Sequence, residues 1–184
     1  MQRILLFLAL TFAPLEALAK GWTVDQERSE ILFTYERAGK PDTGRFHEFA
    51  GEGFLDLGKL EATRLWIRIE SSSIDLNDSV ASAFATSAEW FDSKNHPLVV
   101  FELTEIEQLN ETDFISSGDL TIRGKTKRVE VPIQLTIKDG EAFAKGDIQI
   151  DRSDYLLGFG PGAAFVTIGD VVSVNFDLTA EPVD

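Results

Sequence analysis

Few side chains in this chain are placed for covalent chemistry. There are two His and no Cys in 184 residues. His47 has Glu48 beside it, but neighbours along a strand point to opposite faces, so the two cannot act together as base and orienting acid. His96 precedes Pro97 and reads as a solvated loop residue. Neither has a Cys or a second His at metal-ligand spacing. Asp75-Leu76-Asn77-Asp78-Ser79 offers oxygen ligands but lacks the Gly and distal Glu of a calcium loop, and reads as a helix cap. Asp25, Arg152 and Asp154 are the obvious polar candidates for an enzyme working on an apolar substrate, although a buried Asp–Arg pair more often serves structure. No nucleophile elbow, P-loop or dinucleotide fingerprint occurs. Gly158-Phe159-Gly160-Pro161-Gly162 neither follows a convincing apolar strand nor opens a helix, and fits a wide loop. The expectation is no catalytic residue, no metal and no cofactor.

What remains is apolar chemistry. The chain has 14 Phe and 3 Trp, and they recur on the inward parity of several alternating segments. Candidate lumen residues are Phe33, Tyr35, Phe54, Ile67, Phe101, Leu120, Ile122, Ile133, Ile148 and Phe176, with Phe84, Trp90 and Phe91 at a lid. Such a lumen binds a long apolar chain by removing it from water, at about 0.8 kcal/mol per buried methylene before ordering costs. The same residues can also fill a solid core, and periodicity does not separate the two.

Eight alternating segments position these residues. Trp22 to Glu36 is the first, with Ile31, Phe33 and Tyr35 on one side. Gly39 to Gly44 is a turn cluster. Arg45 to Leu57 follows, with Gly51-Glu52-Gly53 marking a bulge or bend. Thr63 to Glu70, Leu98 to Ile106, Phe114 to Arg123, Thr126 to Lys138, Glu141 to Asp151 and Phe165 to Thr179 complete the set. Period-two alternation fits half-buried antiparallel strands. Without a βαβ pattern, the fold class is all-β: a sandwich or, preferably, an eight-stranded antiparallel up-and-down barrel, since closure removes exposed edges. One helix is expected between the third and fourth strands, capped by Asn77 or Asp78 and running to about Phe91. It either plugs a barrel end or crosses over outside.

The start of the chain looks like a secretory signal: Arg3, an apolar run from Ile4 to Ala13, and Ala17-Leu18-Ala19 as cleavage site. Residues 1–19 are then the signal peptide and 20–184 a single domain, exported to a bacterial periplasm. No later segment is apolar for long enough to cross a bilayer as a helix. The signal carries one base, Arg3, and one acid, Glu16, so the mature part keeps the net charge of −14. That balance argues against nucleic acid or an anionic membrane surface as partner.

The decapeptide Gly118-Asp119-Leu120-Thr121-Ile122-Arg123-Gly124-Lys125-Thr126-Lys127 resembles the signature of the YceI-like family. Further pieces match in order: Trp22, Asp25, Ser29 and Phe33; Gly44-Arg45-Phe46; Phe49-Ala50-Gly51; Ser73-Ile74; Trp90-Phe91-Asp92, Pro97 and Phe101; Arg152-Ser153-Asp154-Tyr155, Gly158 and Gly160. Two positions depart: Glu36 or Arg37 stands where many members have a His, and Ala83-Phe84 or Phe84-Ala85 where many have His-Leu. The resemblance implies an elongated, lipocalin-like eight-stranded barrel, secreted by bacteria, that binds lipids such as polyisoprenoids or quinones.

Three functions are therefore weighed. The first is a periplasmic carrier of a long-chain lipid (isoprenoid, isoprenoid quinone or fatty acyl chain), with no cofactor other than that lipid. The second is a solid barrel whose acidic surface near Glu102, Glu105 and Glu107 docks a basic protein. The third is a lipid enzyme using Asp25, Arg152 and Asp154. On the export reading, the mature protein begins at Lys20. N-terminal sequencing of periplasmic protein checks this, and an intact Met1 would remove the argument.

Overall fold

Three two-residue turns set the register. Ala38-Gly39, Arg123-Gly124 and Asp139-Gly140 all have positive φ at both positions, for example +48° and +69° at Arg123 and Gly124. Those are type I′ turns, whose twist matches that of the strands they join. In the computed structural model, which describes residues 20–162 and 167–183, they pair Arg37 with Lys40, Ile122 with Lys125 and Lys138 with Glu141. The expected signal segment, and the residues from Phe165 at which the last strand was expected to begin, lie outside the described residues.

The strands are β1 (Lys20–Val24), β2 (Glu30–Arg37), β3 (Lys40–Phe46), β4 (Phe49–Leu55), β5 (Arg64–Glu70), β6 (Ile74–Asp75), β7 (Leu98–Gln108), β8 (Asp113–Ile122), β9 (Lys125–Lys138), β10 (Glu141–Asp151) and β11 (Val171–Val183). The first six are three strand paths, each broken once. β1 and β2 both pair with β11; β4 and β3 pair with β1 and β2; β5 and β6 pair with β4 and β3. Every pairing is antiparallel, and β1 bonds to β4 on one side and β11 on the other. The result is a closed eight-stranded antiparallel barrel, not a sandwich.

The breaks have identifiable causes. Between β1 and β2 the chain makes a 3₁₀ turn over Gln26–Arg28, and the Asp25 carboxylate accepts from the Glu27 and Arg28 amides at 3.0 and 3.3 Å. Between β3 and β4 it bends at His47-Glu48. Each break shifts the alternation by one. Gly44 is buried in β3, whereas Phe49 and Gly51 are buried in β4. Two expectations change here. The Gly39–Gly44 cluster is not one turn: the turn is Ala38-Gly39, and Lys40–Phe46 is strand. The bend is not at Gly51-Glu52-Gly53, which lies inside β4; a Cβ on Gly51 would run into Ile67 and Val24. Gly there leaves room for those two side chains from the neighbouring strands.

The helix α1 (Ser79–Ala85) follows β6 and is shorter than expected. Asp78 caps it, accepting from the Val80 and Ala81 amides at 2.9 and 3.0 Å. It stops where Thr86 and Ser87 bring side chains that compete for backbone groups, and the Thr86 hydroxyl donates to the Ala83 carbonyl at 2.8 Å. The chain then folds back through turns, with the Phe91 amide donating to Ala85 at 3.0 Å and Asp92 at φ +48°. Trp90 and Phe91 therefore reach the barrel end from a turn, not from a helix face.

The Gly124 turn gives a direct test. A Cβ there would meet Cε1 of His96 at 2.9 Å, at a φ that L residues rarely adopt. Gly124→Val should cost about 1 kcal/mol or more and lower Tm by about 2–4 °C per kcal/mol, as measured by thermal unfolding.

Candidate ligand-binding chamber

Inward side chains do not fill the barrel. They enclose a chamber of about 710 Å³, a volume typical of small-molecule pockets. Twelve of the thirteen sequence-predicted residues line it. Phe33 and Tyr35 come from β2, Ile67 from β5 and Phe101 from β7. Leu120 and Ile122 are given by β8, Ile133 by β9, Ile148 by β10 and Phe176 by β11. Phe84 on α1, and Trp90 and Phe91 on the turn after it, cover one end.

Phe54 does not belong to this set. It is 37 % exposed, on the outer face of β4. The parity that makes Phe46 inward on β3 is reversed beyond the His47-Glu48 bend, so Phe49 takes the inward position instead. Phe46 itself was missed and lines the chamber, packing its ring 5.4 Å from Phe33 and edge-on to Phe91 at 5.9 Å. Leu65 and Ile69, and Val172 and Val174, are further lining residues. They share parity with Ile67 and Phe176 and were legible by the same rule.

The chamber opens at the α1 end. Its exposed lining residues, Arg37, Asp78 and Val80, all lie there, and Val80 is 78 % exposed. Arg37 Nε lies 2.9 Å from Asp42 Oδ2. The Tyr35 hydroxyl donates to the same oxygen at 3.3 Å. Burial, then the Asp42 charge, raises the Tyr35 pKa above that of an ordinary phenol. The Ala81 and Val80 amides hold the Asp78 carboxyl below the usual range.

Arg152, missed as a lining residue, secures the other side of the mouth. Its guanidinium donates to the Gly169, Leu157 and Ile168 carbonyls at 3.0, 2.6 and 3.0 Å and to Asp170 at 2.8 Å. It also lies 5.6 Å from the Trp90 ring centre. These bonds tie the end of β10 to the approach to β11. The Gly158–Gly162 loop packs over Glu89: the Gly158 amide donates to the Glu89 carbonyl at 2.8 Å and the Gly162 amide to its carboxylate at 3.0 Å. Arg123 donates to the Leu156 and Ala88 carbonyls, joining the signature hairpin to the same rim. Beneath the loop, Tyr155 is 1 % exposed, and burial pushes its pKa up to about 12.

The polar candidates for catalysis are not assembled. Asp25 caps a turn, Arg152 is the clamp, and Asp154 pairs at 2.9 Å with Lys127 on the surface. The exposed His47 lies 3.1 Å from the half-buried Asp75, and His96 sits under the Gly124 turn. Among the described residues no three His, Cys, Asp or Glu converge as metal ligands, and no helix is long and apolar enough to cross a membrane. Of the acidic residues near the strand end, Glu105 pairs with Arg128 at 3.2 Å while Glu102 and Glu107 are exposed.

A closed antiparallel barrel around an apolar chamber that opens beside α1 has the form of a ligand-binding barrel. The chain belongs to the YceI-like family, whose domain model matches residues 22–180. A UPF0312 protein of Shewanella baltica is 26 % identical over 154 residues, 82 % of this chain and 76 % of the relative. The crystal structure of Burkholderia cenocepacia BcnA superposes with TM-score 0.79 at 26 % identity, covering 85 % of this chain and 98 % of that one. A polyisoprenoid binding domain from Saccharophagus degradans gives TM-score 0.71 at 16 % identity, covering 88 % and 98 %, and shares the fold.

The Arg152 clamp should not tolerate an ammonium, which cannot reproduce the planar fork. Arg152→Lys should lower stability by about 2 kcal/mol or more, read as a shift in the denaturant midpoint.

Proposed function

We propose that this protein is an exported, non-enzymatic carrier that shelters a long apolar lipid in the barrel. The observation that carries the reading is the chamber: its wall is built almost wholly from aliphatic and aromatic side chains, and it opens beside α1. An apolar chain threaded past Val80 and Phe84 meets a wall that includes Phe33, Phe101 and Ile122. Each methylene buried adds about 0.8 kcal/mol of gross driving force, reduced by the cost of ordering the chain. The hydroxyls in the wall are those of Tyr35 and Ser116, the first held by Asp42; on this reading the ligand is held and released unchanged. The binding named for the Saccharophagus degradans domain points to an isoprenoid, and a prenyl quinone or fatty acyl chain fits the same wall. The segment expected at residues 1–19 would deliver the carrier to the periplasm, and the net charge of −14 keeps it off anionic membrane surfaces.

Ile122 is the probe for this reading. It is 6 % exposed and lines the chamber. A bulky ring added to a packed core costs about 1–3 kcal/mol in strain, whereas one added to a chamber wall occupies ligand space. Ile122→Trp should therefore fold with a Tm near that of the wild type and lose uptake of an apolar fluorescent probe. A wild type that takes up no such probe, and that releases no apolar mass on native mass spectrometry, would remove the carrier reading.

A further inference from the structure

One ladder of the ring is incomplete. β9 and β10 pair from Lys138 with Glu141 as far as Ile133 with Gly146, and there the ladder stops. Beyond that point Lys125–Pro132 stay paired with β8, and Asp147–Asp151 with β11. Among the described residues, no ladder joins these two facing edges. Pro132 brings no amide to the place where the pairing ends. A Cβ on Gly146 would lie 2.5 Å from the Pro132 carbonyl oxygen and 2.6 Å from Cζ of Phe176.

The wall is thin at the same place. Outside it runs a groove whose apolar lining includes Leu32, Ile115 and Pro132. Ile133 and Phe176 line both this groove and the chamber, so one layer of side chains separates the two spaces. Gly146 gives that layer no side chain, and the Phe176 ring occupies the room. Further along the slot the lips are chamber wall: Val129 and Val131 on β9, Ile148 and Ile150 on β10. The side-chain bond that crosses it runs from Lys127 Nζ to Asp154 Oδ1 at 2.9 Å, between exposed partners. A surface pair of that kind holds weakly. Parting β8 from β9, or β10 from β11, would break a full ladder. Parting β9 from β10 along the slot breaks none.

We propose, on the carrier reading, that this slot is a side portal of the chamber. The apolar chain of the cargo passes between β9 and β10 when the Phe176 ring turns aside, and the outer groove seats the part that has emerged.

The test is the release of a bound apolar probe, diphenylhexatriene, from the mature protein into phosphatidylcholine vesicles that carry a nitroxide quencher. Glu130 and Gln149 are exposed and face each other if the register of Ile133 with Gly146 is continued. The chain has no Cys of its own, so Glu130→Cys with Gln149→Cys places one disulfide across the slot. That bond requires Cα atoms within about 7 Å and so clamps the lips; a short bismaleimide across the two thiols replaces it if the pair does not oxidise. The clamped protein should release the probe about tenfold or more slowly, and reduction of the disulfide should restore the rate. A control clamp across the complete β8–β9 ladder, Asp119→Cys with Arg128→Cys, should leave the rate unchanged. Phe176→Ala should speed release about fivefold or more, and the slot clamp should abolish that gain. Release unaffected by the slot clamp, slowed equally by the control clamp, or still accelerated by Phe176→Ala under the clamp overturns the portal and leaves a carrier that works through its mouth. If the wild type binds no diphenylhexatriene, the carrier reading falls and the portal with it.

Discussion

Everything in this structure depends on the hydrogen-bonded seam between β1 and β11. Gly21 to Val24 register with Val183 to Ala180, and that ladder turns an open sheet into a ring. Closure satisfies the backbone groups an edge would expose. It also fixes the interior: once the ring is closed, every inward residue faces the same enclosed space. β11 carries more than the seam. Its earlier residues pair with β2 and with the whole length of β10. The bend at Gln26–Arg28 lets one partner strand follow β11 through both of its neighbouring registers.

The rim is built by side chains that hold backbone. Arg152 and Arg123 donate to carbonyls of segments that form no ladder. The Glu89 carboxylate does the converse job for the Gly162 amide. A loop over a barrel end has backbone groups that no strand can satisfy, and here charged side chains satisfy several of them. The mouth thus acquires acids and bases that are spent on structure, and the apolar wall begins just beneath them.

Much of this was legible from period two alone. Ile31, Phe33 and Tyr35, or Leu120 and Ile122, read as inward because each run lies in one unbroken strand. The Arg123-Gly124 turn was legible because a sharp reversal between two alternating runs calls for Gly. Phe54 failed for a definite reason. The bend at His47-Glu48 shifts the alternation by one, and no residue type there announces a bend; the nearby glycines suggested the wrong place for it. The helix end at Ala85 was obscured because Phe84, Ala88 and Phe91 keep a helical spacing that the backbone abandons. The roles of Arg37, Asp42 and Arg152 depend on partners distant in the chain or across a turn, which local pattern does not reveal. That the barrel is hollow was open on sequence physics, since the same aromatics suit a solid core.

The β1–β11 seam also orders events in time. Seven of the eight strand paths can pair with the path before them as the chain emerges, most through short connections and two through the longer segments Leu76–Pro97 and Arg152–Asp170. The ring cannot close until the final strand is available, because β1 and β2 wait for residues about the whole domain away. Such distant pairing slows folding relative to local contacts. Until it happens, the apolar faces destined for the chamber remain open to solvent and to other chains, with no disulfide to hold them. On the carrier reading proposed above, a ligand chain laid along those faces enters before the ring closes, a route distinct from the mouth.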